Sequence, residues 1–238
     1  ITAIHASYIA AGAEVITTNT FSANRLKLGD KMSVEEAYRL AADCARAAGA
    51  PYIAGDIGPT GSLLEPMGTL SFDEAYHIFA KQVRAAVAAE CDIILIETMA
   101  DLREAKAALL AARENSTLPV FVTMTFGEDG RTFLGTTPEI AAEVLSSLGA
   151  QAVGFNCSLG PAELTGAARA MASRVRCPLM AQPNAGLPHM ENGETVFDVG
   201  PEEFACAMGP LLDAGASIVG GCCGTSPRLI ELLSKELA

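Results

Sequence analysis

Seven short runs of apolar, largely β-branched residues recur along the chain, at residues 14–21, 51–57, 92–99, 119–126, 152–157, 178–183 and 217–222. Each gives way to a turn rich in Gly, Pro, Asn or Thr and then to a stretch with helical spacing of apolar positions. Strands that alternate with helices in this way imply parallel β/α units. Several helix starts are legible. Ser33 with Glu36 and Ser71 with Glu74 have capping-box spacing, while Thr137-Pro138 and Gly160-Pro161 put proline at a first helical position.

The strand count bears on the architecture. A closed (β/α)8 TIM barrel needs eight strands and seven are visible. The chain opens inside a helical pattern, with Ile1, Ile4, Tyr8 and Ile9 at 3.6-residue spacing, no N-cap before it and Gly12 closing it. The expectation is therefore one α/β barrel domain over residues 1–238, N-terminally truncated so that its first strand lies upstream of Ile1. A doubly wound open sheet is the rival, but no Gly-x-Gly-x-x-Gly turn supports it.

Composition narrows the class of function. A chain of 238 residues that is half hydrophobic can bury a substantial core. Its formal charge of −12, without a Lys/Arg run, repels polyphosphate, so nucleic acid is not an expected partner. No apolar run approaches the ~18 residues of a membrane span, and no signal-peptide pattern opens the chain, so a soluble protein is expected. Seven cysteines are too few and too irregularly spaced for a disulfide scaffold. A reducing, cytoplasmic setting follows.

In barrels of this class the chemistry sits where strands end and loops begin. Cys157, in Gly154-Phe155-Asn156-Cys157-Ser158-Leu159-Gly160-Pro161, ends one strand, and the pair in Gly220-Gly221-Cys222-Cys223-Gly224-Thr225 ends the next but one. Strand ends two apart are about 10 Å from each other, which two cysteine side chains and Zn–S bonds of about 2.3 Å can span. Neighbouring residues on a regular strand face opposite ways, so Cys222 and Cys223 can share a metal only if the backbone leaves the pleat there. Gly220, Gly221 and Gly224 permit that. Three protein ligands leave a fourth position open, the mark of a catalytic zinc. The other cysteines, Cys44, Cys91, Cys177 and Cys206, fall in helical patterns or at strand beginnings and are expected to pack.

Polar residues at the remaining strand ends complete the candidates. Glu97 follows Ile93-Ile94-Leu95-Ile96, where a lone carboxylate is costly; it pairs either with a substrate ammonium or with a structural cation. Asn19, Asp56, Thr125 and Asn156 hold equivalent positions and either touch substrate or cap loops. Asn184, between Pro183 and Ala185-Gly186, reads as a turn former. His189 reads as an exposed loop histidine, and His5 and His77 as helical residues without chemistry.

These segments, together with Thr17-Thr18-Asn19-Thr20-Phe21, Gly55-Asp56-Ile57-Gly58-Pro59-Thr60-Gly61, Ile96-Glu97-Thr98-Met99 and Gln182-Pro183-Asn184-Ala185-Gly186, resemble the homocysteine-binding domain of the homocysteine S-methyltransferase family, in its cobalamin-dependent, methionine-forming branch. The resemblance implies that Cys157, Cys222 and Cys223 bind Zn²⁺, that Glu97 holds the homocysteine amino group, and that Asn184 occupies the fourth metal position before substrate enters. It also implies methylcobalamin as an external methyl donor, carried by cobalamin-binding and folate-binding domains or subunits. The chain itself has no Asp-x-His-x-x-Gly corrinoid motif. A stand-alone enzyme using S-methylmethionine or betaine is the alternative within that chemistry. A catalytically inactive zinc-binding scaffold, and a thiol redox protein with a strained Cys222–Cys223 bridge, are alternatives outside it.

Overall fold

The computed structural model describes residues 1–191 and 193–237. Its order is α1 (Thr2–Ala10), β1 (Val15–Thr17), α2 (Arg25–Leu28), α3 (Val34–Ala47), β2 (Tyr52–Ile57), α4 (Phe72–Ala88), β3 (Ile93–Met99), α5 (Leu102–Asn115) and β4 (Val120–Met124). There follow α6 (Pro138–Ser147), β5 (Ala152–Asn156), α7 (Pro161–Ala172), β6 (Leu179–Gln182), β7 (Pro188–Glu191), β8 (Glu194–Phe197), α8 (Pro201–Asp213), β9 (Ala216–Val219) and α9 (Pro227–Glu236). Each of the seven apolar runs contains a strand or overlaps one. The capping signals also take effect: Ser71 and Glu74 form a reciprocal capping box, and the Ser33 hydroxyl accepts the Glu36 N–H at 3.1 Å.

Seven strands form one sheet in the order β1-β2-β3-β4-β5-β6-β9, every pair parallel. The sheet curls into an incomplete TIM barrel with the helices outside. Its outward-facing residues, among them Ile94, Ile96, Val122, Val153 and Phe155, pack with the helices into the main core. Ala54, Ile93, Leu95 and Met180 form a second, inner cluster, with Phe121 and Ile218 packed on it. Both faces are apolar, so these strands read as near-continuous apolar runs and not as alternation. Gly154 is required by the inner packing: a Cβ there would lie 1.9 Å from the Met180 carbonyl oxygen.

Among the described residues, β1 and β9 each pair on one side only. Between them a cavity of about 1250 Å³ opens into the barrel, lined at its floor by Leu95, Phe121 and Ile218 and near its mouth by Asp56, Gln182 and Cys222. Helix α1 forms as its spacing predicts, yet Ile1 and Ile4 are exposed. Only its last turn packs: Tyr8 and Ile9 lie against the core, and the Tyr8 hydroxyl donates to the Thr225 carbonyl at 2.9 Å.

One element departs from expectation. The stretch after β6, read as a loop, contains the antiparallel hairpin β7–β8, with His189 opposite Val196. His189 is exposed as expected, and its Nδ1 lies 2.8 Å from an Asp198 carboxylate oxygen. No helix among the described residues is long and apolar enough to cross a membrane.

Candidate metal and substrate site

The strand ends at the barrel mouth carry the chemistry. After Asn156 the backbone of β5 turns sharply: Cys157 and Ser158 both adopt left-handed conformations, with φ of 64° and 67°. Non-glycine residues rarely do so, and two in succession mark a segment held by its surroundings. The Cys157 N–H donates to the Gln182 carbonyl at 3.0 Å, which keeps this turn attached to β6.

Strand β9 ends at Val219, so Cys222 and Cys223 lie beyond the pleat, as a shared metal demands. Their loop is strapped to the segment that follows β6. The Cys222 N–H donates to Pro183 O at 2.8 Å and the Ala185 N–H to Cys223 O at 2.9 Å. Asn184 Oδ1 accepts the Cys223 N–H at 3.1 Å. Gly221 is needed for the fold-back, because a Cβ there would lie 2.2 Å from the Thr225 methyl carbon.

The three sulfurs consequently converge. Cys157 Sγ is 3.8 Å and Cys222 Sγ 4.0 Å from Cys223 Sγ, and all three lie within 4.8 Å of one another. Tetrahedral zinc with Zn–S bonds of about 2.3 Å spaces its sulfurs about 3.8 Å apart. The donor set and spacing fit such an ion. Hydrogen bonding from Cys222 holds the Cys157 thiol down at about 5, with the Ser158 N–H, Cys223 and Asn184 assisting. Cys222 is raised in turn because it donates to Cys157 and is desolvated, and Cys223 is raised chiefly by burial. One thiolate is thus already present at neutral pH.

Two carboxyl groups face the same space. Glu97 is half-buried, and desolvation, followed by the charge of Cys157, pushes it up to about 7. Asp56 is 4% exposed, its Oδ1 has no hydrogen-bond partner, and burial and Glu97 hold it well above the usual carboxylate range. The Asp56 main chain is fixed by Thr18, Thr20 and Tyr38, whose hydroxyls lie 3.0, 2.8 and 2.7 Å from its N or O. Crowded anionic groups without a cation make this end of the barrel a place where positive charge is stabilised.

The other candidates divide. Asn184 lies beside the sulfurs, bonded to the Cys223 backbone. Asn19 is exposed at the cavity rim. Thr125 sits just past β4 with its N–H donated to Met99 O at 2.9 Å. Asn156 is fully buried, and its carboxamide bonds to Thr98, Thr123 and Cys222, leaving it none for substrate. Of the four cysteines expected to pack, Cys91 is buried and Cys44 and Cys177 are partly so, but Cys206 is exposed on α8. Thr98, Thr123 and Gln182 were not among the sequence candidates. Thr123 could have been found, since it follows Phe121 at the inward-facing period of two.

Comparison with known proteins agrees with this geometry. The model of the family described as homocysteine S-methyltransferase matches residues 1–237. The methionine synthases of Mycobacterium leprae (strain TN) and Mycobacterium tuberculosis (strain ATCC 25618 / H37Rv) are each 32% identical over 252 aligned residues. Each alignment covers 99% of this chain but 21% of the relative, so the chain spans about a fifth of their length. The metallated form of the homocysteine methyltransferase MmuM from Escherichia coli superposes with a TM-score of 0.82 at 21% identity, covering 99% of this chain and 83% of that one. It shares the fold.

Proposed function

Because this chain belongs to the homocysteine S-methyltransferase family, we propose that it activates the thiol of homocysteine for methylation to methionine, as a single barrel domain of a larger methionine synthase. The observation that carries this reading is the meeting of three cysteine sulfurs within 4.8 Å at strand ends that also present Glu97. Cys157, Cys222 and Cys223 would hold Zn²⁺, with Asn184, whose Oδ1 accepts the Cys223 N–H at 3.1 Å, as a further ligand before substrate arrives. Zinc bound there supplies the Lewis acidity that keeps the substrate thiol deprotonated near pH 7.

The chain's own residues do the rest. Glu97 takes the homocysteine ammonium, and Asp56, which lines the cavity and has a carboxylate oxygen without a hydrogen-bond partner, adds negative charge beside it. The ammonium offsets the burial and, after it, the neighbouring negative charge that raise both carboxyl groups. Asn19 and Thr125 border the amino-acid end. Anchoring the ammonium on the β3 end orients the substrate sulfur toward the cysteines and its free face toward the incoming methyl group. The donor is methylcobalamin, presented by a cobalamin-binding domain, with a folate-binding domain to regenerate it, outside the residues of this chain. A reducing cytoplasmic setting, which keeps the thiols free, belongs to the same reading.

Zinc content and homocysteine titration calorimetry test it. The expected result is one zinc per chain and zinc-dependent heat of homocysteine binding; the absence of heat from the zinc-loaded full-length protein overturns it. Turnover with methylcobalamin but not with S-methylmethionine or betaine fixes the donor.

A further inference from the structure

Asn156 ends β5 on the inner face of the barrel, 1% exposed. Its Oδ1 accepts the Thr98 N–H at 2.8 Å and the Thr123 hydroxyl at 2.6 Å. Its Nδ2 donates to Thr98 Oγ1 at 2.7 Å and to Cys222 Sγ at 3.8 Å. A backbone N–H can only donate, so the bond from Thr98 fixes which end of the carboxamide is oxygen. Every hydrogen-bonding position of the side chain is taken.

The partners explain why this matters. Thr98 is β-branched, yet its φ is +59°. The β3–β4 register passes from Ile96↔Val122 to Met99↔Met124, so Glu97 and Thr98 together oppose Thr123 alone. This is a β-bulge, and it sets the direction in which Glu97 points while returning Met99 to the outer core. Asn156 binds both sides of the bulge at once. It holds Thr98 through the main-chain N–H and the hydroxyl, and Thr123 across the ladder. With its remaining hydrogen it reaches a sulfur of the cysteine cluster.

We propose that Asn156 is a positioning residue that fixes the Glu97 carboxylate relative to the Cys222 sulfur, and thereby sets the preference for an amino thiol over a thiol lacking the amino group. The proposal rests on the reading of Glu97 as the ammonium partner and of the three cysteines as zinc ligands. Removing the carboxamide releases Thr98 from its left-handed conformation, lets the bulge relax and turns Glu97 off its line. The same change deprives Cys222 of an N–H donor, which alters the electron density of that sulfur toward a metal.

The test compares wild-type protein, Asn156→Ala and the double variant Asn156→Ala/Thr98→Gly. Affinities for homocysteine and for 4-mercaptobutanoate are measured on zinc-loaded protein, and the sulfur-to-metal charge-transfer band is recorded after cobalt substitution. In Asn156→Ala the ratio of the two affinities falls at least tenfold and the cobalt band moves. Glycine accepts the left-handed conformation without a clamp, so the double variant regains at least threefold of the ratio while the band stays displaced. Unchanged ratio and band, or a change in only one of them, overturn the proposal. If Asn156→Ala does not fold, Asn156→Asp keeps the acceptor for Thr98 and Thr123 but has no hydrogen for Cys222; an unshifted cobalt band in that variant overturns the proposal equally. Failure of the wild type to bind zinc or homocysteine removes the underlying reading as well, and so is told apart from failure of Asn156 alone.

Discussion

Replacing Glu97 with glutamine separates what that carboxylate costs from what it does. Its pKa of about 7, against an ordinary 4.5, means that the metal-free folded chain holds a proton the unfolded chain has lost throughout that interval. Stability accordingly falls as pH rises from 4.5 through 7, and the full penalty is in place above 7. At about 1.36 kcal/mol per pH unit the penalty is about 3 kcal/mol. Glu97→Gln keeps the shape and discards the charge. In chelator and reductant, urea unfolding at pH 8 should show the variant more stable than wild type by about 3 kcal/mol, while near pH 4.5 the two curves converge. The same variant should lose homocysteine binding by about 2 kcal/mol or more in its zinc-loaded form, since a buried charge pair has lost one member. Equal stability at pH 8, or an offset of the same size at both pH values, refutes the argument that desolvation dominates at this carboxylate.

Other outcomes follow from the same site. Alanine at Cys157, Cys222 or Cys223 should each abolish zinc-dependent methyl transfer while leaving the circular-dichroism spectrum intact; full activity in any one of them removes that residue from the metal set. Since Cys157 sits at about 5 and Cys222 and Cys223 are raised, zinc binding at pH 7 should release about two protons, and its affinity should climb with pH. Calorimetry in buffers of different ionisation enthalpy counts them, and a count near zero contradicts the assignment. Gly154→Ala should destabilise the protein by about 3 kcal/mol or prevent folding, because its methyl group meets the Met180 main chain and not a movable side chain; a melting temperature unchanged within a degree would count against the tight β5–β6 packing.

The sequence was most informative where one physical requirement dominated. Strands buried on both faces need apolar runs, and all seven sheet strands announced themselves that way. The cysteine cluster was legible because strand order and the glycines around Cys222 and Cys223 left few other arrangements. The hairpin was missed although Asn192-Gly193 is a strong turn signal in sequence, since its strands, with Met190, Glu191 and Glu194 exposed, bury little and show no apolar run. Strand β1 was overdrawn for a related reason. Past Thr18, whose N–H makes the last ladder bond to Ala54 O at 2.9 Å, the pairing stops; the hydroxyls of Thr18 and Thr20 bond each other at 2.7 Å and tie to Asp56, so the β-branched residues there also serve side-chain bonding. The network around Asn156 was not legible in the sequence, because its partners come from the bulge at Glu97 and Thr98, which only the pairing with Thr123 reveals.

The strap between residues 183–185 and 222–223 has a consequence for the order of events during biosynthesis. Cys157 and Cys223 are 66 positions apart. Until β9 has docked on β6, the nascent barrel displays a solitary thiol at the end of β5. On the proposed assignment metal capture waits for β9 to dock, and metal content becomes a readout of whether that β/α unit is in place. Substitutions in Ala216–Val219, distant in sequence from every proposed ligand but one pair, should show themselves first as protein that folds and arrives empty.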